Sequence, residues 1–156
     1  MRAGKRPRRP KQTDPEFTLL ASIGSRSFSY YIASHGDHPR TSSDEAIIEI
    51  VAEIHSIAPS MPGHAGKELR CSLISAATYR PSTPEIPSTG PMLHGVGLKK
   101  DSRSIVAYLP VDVFWGLLPE FRCGTFKYVE ARFRKLRYGF AELISLYFSE
   151  ICPPEE

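Results

Sequence analysis

The chain of 156 residues fits one domain, and with 41% hydrophobic and 24% charged residues it has the composition of a globular protein able to bury a core. Three cysteines, odd in number and far apart, argue against a disulfide framework and for a reducing compartment; no apolar run approaches the roughly 20 residues that cross a bilayer, and no apolar stretch follows the charged N-terminus as a secretory signal requires. The net charge of +3 conceals an asymmetry: residues 1–12 hold six cations and no acid, residues 121–138 hold six cations against Glu130, and the rest carries eight basic against sixteen acidic side chains, a balance of −8.

Residues 1–15, MRAGKRPRRPKQTDP, lack any large apolar side chain and combine charge with proline. They are expected to be a disordered basic tail ahead of a single domain over 16–152. Residues Phe17 to Ile32 are rich in strand formers and interrupted at Gly24–Ser27, which predicts two short strands and a turn. A polar loop over 33–42 follows. Ser42 precedes Glu45 by three, as in a capping box, and Ile47, Ile50, Val51, Ile54 and Ile57 then recur at helical spacing. This predicts a helix over 43–57, stopped by Pro59, with Glu45, Glu49 and Glu53 on its solvated side. Isoleucine is not a strong helix former, so packing would have to support it.

Leu69 to Tyr79 reads as a strand, and Pro81, Pro84, Pro87 and Pro91 mark an irregular connection. Leu93 to Leu109 reads as a hairpin turning at Lys100–Ser102. Pro110, with Asp112 in the following turn, predicts a short helix over 111–118, limited by Pro119. Over 125–151 a helical seam competes with strand alternation. Aromatic and β-branched residues and Gly139 favour a hairpin with its turn near 135–139. Together these elements predict an α+β fold: an antiparallel sheet of about five to seven strands, the 43–57 helix packed on one face, and the short 111–118 helix.

Five features bear on function. The tail cations Arg2, Lys5, Arg6, Arg8, Arg9 and Lys11 can neutralise phosphates, and the stretch also resembles a short nuclear-import signal. Lys127, Arg132, Arg134, Lys135 and Arg137 lie beside Phe126, Tyr128 and Tyr138, a combination that can hold a nucleic-acid backbone while bases stack. The competing reading is a solvated face whose charges pair with acids. His35, Asp37 and His38 place two imidazoles and a carboxylate on one loop, but nothing in the sequence fixes His55, His64 or His94 nearby to complete a metal site. Gly63–Lys67 lacks both the leading glycine and the hydroxyl of a phosphate-binding loop, since Met61 and Glu68 stand there. Cys71 and Cys123 are expected to be structural thiols.

The expectation is a non-enzymatic binding protein, cytoplasmic, with no cofactor, metal or membrane association. It would dock on a protein or nucleoprotein partner, with the tail on nucleic acid. The alternatives are an inhibitor acting through its acidic surface, and a small hydrolase or transferase using His35, Asp37 and His38.

Overall fold

In the computed structural model, the described residues are 14–35, 41–76 and 92–154. Seven strands and one helix follow in chain order: β1 (Phe17–His35), β2 (Thr41–Ala58), β3 (Glu68–Ala76), β4 (Met92–Leu98), β5 (Arg103–Tyr108), α1 (Val111–Arg122), β6 (Tyr128–Phe133) and β7 (Phe140–Ser149). The strands close into a barrel in the order β1-β2-β3-β5-β4-β7-β6, with β6 returning to β1. Every neighbouring pair is antiparallel except β3 and β5, which run parallel. The expected α+β sheet with a helix on its face is therefore replaced by a closed barrel, which leaves no open sheet face for a helix to cover.

The decisive difference is at 43–57, which forms β2 rather than a helix. Inside the barrel lie Ala46, Ile48, Ile50, Ala52 and Ile54, a strict alternation. Two of the five are alanines, so the period-two pattern is faint, whereas the outward Ile47 and Val51 complete a false helical stripe. Glu45, Glu49 and Glu53 do share an outer face, because a spacing of four preserves side in a strand as well as in a helix.

The break expected within β1 is a bulge. Ile23 pairs with Ala52 and Ser25 with Val51, leaving Gly24 as an extra residue. The inward set therefore changes from Leu19, Ala21 and Ile23 to Arg26, Phe28 and Tyr30, which face Ile50, Ile48 and Ala46.

The hairpins β4–β5 and β6–β7 form as expected, the second turning over 134–139. Helix α1 begins where Pro110 places it but runs through Pro119 to Arg122. Burial of Phe114, Leu118 and Phe121 in one end of the barrel drives that extension, and Phe121 meets the rings of Phe126 and Phe148 at 4.9 and 5.0 Å. The rest of the core is mostly aliphatic, with Leu19, Leu69, Leu73, Ile105 and Val129 fully enclosed and Phe133 the further buried ring.

Candidate nucleic-acid interface

Two turns meet at the barrel end opposite α1. Because β4 pairs with β7, Gly97 lies against Phe140, and the turn after β4 sits beside the turn before β7. The Leu98 amide donates to the Gly139 carbonyl at 2.8 Å. The Lys99 side chain runs beneath Gly139, where a Cβ would approach Lys99 Cγ to 3.0 Å. Its ammonium lies 4.5 Å from the centre of the Phe140 ring, and that ring rests on Gly97, where a Cβ would come within 3.2 Å of it. Phe140 thus holds Lys99 in place by a cation–π contact.

The second turn is tight. Arg137 and Phe140 exchange both backbone hydrogen bonds, at 2.7 and 3.0 Å, around Tyr138 (φ +52°) and Gly139 (φ +83°). Two successive positive φ angles make it a mirror-image turn, which matches the twist of the flanking strands and favours Asn-Gly. Tyrosine at the first position is conformationally costly, yet its ring is 100% exposed at the tip.

The first turn and the β2–β3 loop are tied together by Arg103. Its guanidinium donates to His64 Nδ1 at 2.9 Å, to the Gly63 carbonyl at 3.2 Å and to the Lys100 carbonyl at 3.0 Å. Partial burial, and then the neighbouring Arg103 charge, lower the His64 pKa, keeping the ring neutral as an acceptor.

This end presents Lys99, Lys100, Lys135 and Arg137, all exposed, together with Asp101 and the acids Asp14, Glu16, Glu68 and Glu142, the last three of which are taken up by Arg132, Arg70 and Arg134. Among the described residues no carboxylate pairs with Lys100, Lys135 or Arg137. The N-terminal segment arrives at the same place. Phe17 pairs with Phe133 and stacks on it at 5.6 Å, and Arg132 donates to Glu16 at 2.7 Å. The tail cations Arg2 to Lys11 lie outside the described residues, but the chain that carries them enters the barrel at its basic end.

The predicted basic stretch is thus divided. Arg132 and Arg134 share the outer face of the hairpin, as a strand requires, but Arg132 pairs with Glu16 and Arg134 with Glu142 at 3.4 Å. Exposed pairs of this kind contribute only about 0–1 kcal/mol, yet they neutralise both charges locally. Among the described residues Lys135 and Arg137 have no such partner. Lys127 precedes β6 at the other end of the barrel and is not part of this group. Lys99, Lys100 and Phe140 were missed in sequence, because only the β4–β7 pairing brings them to the same place.

Arg137 also lines a groove of about 590 Å3 on the outer surface of β4, β5 and β7, together with His94, Gly97, Ser104, Phe140 and Glu142.

The opposite end is acidic and aromatic. Asp44, Glu45, Asp112, Glu120 and Glu150 outnumber Arg26, Arg122 and Lys127 there. The ring of Trp115 on α1 contacts Phe28 at 5.6 Å and Tyr30 at 6.1 Å, and Trp115 remains 43% exposed. Beyond Ser22, β2 is the one strand that pairs with β1 among the described residues, so no other described strand lines the edge carrying Tyr30, Tyr31 and Ile32.

The other candidates can be placed briefly. Asp37 and His38 lie outside the described residues, and His35 is placed only as the last backbone position of β1. Cys71 is buried, and desolvation pushes its thiol up to about 12. Cys123 and Cys152 are exposed, and all three cysteines are free. Among the described residues no three His, Cys, Asp or Glu side chains converge on a common point, and no helix is long and apolar enough to cross a membrane.

Fold and surface together define a closed seven-strand barrel with one basic and one acidic, aromatic end. In comparisons with known proteins, no family model, no curated protein and no solved structure matches this chain.

Proposed function

We propose that the protein is a non-catalytic nucleic-acid-binding protein in which the N-terminal tail and the basic end of the barrel hold the phosphate backbone and Tyr138 supplies a stacking surface. The observation that carries this reading is the meeting of Lys99, Lys100, Lys135 and Arg137, on two adjoining turns, with the point where the tail enters the barrel. Cations clustered beside an exposed ring suit a single strand, whose bases can stack while its phosphates are neutralised.

Fluorescence anisotropy with a labelled single strand of about 20 nucleotides tests it, for the full chain, a chain lacking residues 1–13, and a Lys99→Glu/Lys135→Glu/Arg137→Glu variant. Both changes should weaken binding at about 50 mM salt by about tenfold or more. Removing the six tail cations should flatten the salt dependence by up to about four units of slope. Binding that is absent, or indifferent to both changes, overturns the proposal. The unpaired cysteines support a reducing, cytoplasmic setting.

A second reading, a protein-binding inhibitor acting through its acidic surface, is favoured by the Phe28–Tyr30–Trp115 cluster beside a strand edge that no other described strand lines, since exposed aromatics and strand edges are common docking features. It requires a partner that survives nuclease treatment and is lost on Trp115→Ala.

A further inference from the structure

The Gly24 bulge aims a charge at the mouth of the barrel. By shifting the inward set of β1, it turns Arg26 toward α1 and into a cleft of about 400 Å3. One Nη of Arg26 donates to the Phe126 carbonyl at 2.8 Å, and the guanidinium lies over Gly124, where a Cβ would stand 3.6–3.7 Å away. Among the described residues its buried Nε has no hydrogen-bond partner. Among the described residues no carboxylate pairs with it. A second cation, Arg122 in the last turn of α1, lines the same cleft, and Phe28, Ile48, Leu118 and Phe121 form its apolar walls.

A partly desolvated guanidinium that lines a cleft without a carboxylate partner calls for an oxyanion, and the walls call for a hydrocarbon or aromatic body. The volume lies within the range of small-ligand pockets. We propose that this cleft binds a small amphipathic oxyanion, its head on Arg26 and Arg122 and its apolar body between α1 and β2. The site is at the opposite end of the barrel from the basic turns and does not depend on nucleic-acid binding.

The probes are octanoate, octyl phosphate and, as the uncharged control, octanol. They are titrated into the 15N-labelled full chain while the arginine Nε–Hε resonances are observed. The Arg26 signal should shift saturably with one or both anions and respond at least about tenfold more weakly to octanol. Preference between octanoate and octyl phosphate identifies the head as carboxylate or phosphate. Arg26→Met, which keeps much of the aliphatic stem, should lower affinity about tenfold or more. Arg122→Gln, on an exposed position, should lower it by a smaller factor without affecting folding. Octanol binding as well as the anions, unchanged affinity in both variants, or no response to any probe overturns the proposal.

Discussion

Tyr138 occupies a backbone conformation that asparagine or glycine adopts more readily, at a position where its ring touches nothing that stabilises the barrel. Relief of that conformation should make Tyr138→Asn more stable than the parent by about 0.5–1 kcal/mol, seen as a rise of a few degrees in a thermal melt. The same variant should bind the single strand more weakly if the ring stacks on bases, so stability and binding should move in opposite directions. Equal binding would remove Tyr138 from the interface. Cys71 makes a contrasting residue-scale case. Its thiol is pushed up to about 12 from an ordinary value near 9, so the unfolded chain releases this proton first as pH rises. Its contribution to stability is complete below about pH 9 and is lost between about 9 and 12, with a slope approaching about 1.4 kcal/mol per pH unit. Denaturation of the full chain and of Cys71→Ala across that window should give different slopes. In the native protein, alkylation should reach Cys123 and Cys152 and spare Cys71.

At the scale of elements, β2 shows how a sequence pattern can mislead. In a helix, positions 50, 51 and 54 would share one buried face. In the barrel, Ile50 is fully buried while Val51 points outward. Ile50→Ala should therefore destabilise by about 2–5 kcal/mol, whereas Val51→Lys should cost less than about 1 kcal/mol in urea denaturation. Comparable losses at both positions would contradict the strand assignment. The sequence does carry a strand signal here, in six isoleucine and valine residues over eleven positions. Helix-like spacing obscured it, because outward Ile47 and Val51 pack on the barrel's outer surface and Ala46 and Ala52 fill its interior. In α1 the tertiary contacts overrode a local stop. Pro119 forfeits a hydrogen bond to Trp115, at about 3 kcal/mol or more in an isolated helix, but the turn it lies in seats Leu118 and Phe121 in the barrel end.

For the whole molecule, the central quantity is the separation of charge. The basic end and its tail should orient the protein on a polyanion while the acidic end faces away, so reversing the turn cations should slow association more than it speeds dissociation at low salt. Stopped-flow association of the single strand with the Lys99→Glu/Lys135→Glu/Arg137→Glu variant checks this. An unchanged association rate would mean the tail alone steers. The charge count in the sequence already located the basic tail and the 121–138 stretch, but not which of their members act together.

What the sequence determined by itself is local. The hairpin at 93–109, the start of α1 at Pro110 and the concentration of positive charge follow from residue type and short-range alternation, whereas at 125–151 a helical seam competed with that alternation and the β6–β7 pairing decided for the hairpin. Closure of the barrel, the parallel β3–β5 contact, the strand at 41–58 and the meeting of Lys99 with Arg137 were decided by tertiary structure. Each depends on pairing between segments distant in the chain, and such pairing is chosen by the shared interior that the strands enclose, a property that no single segment contains.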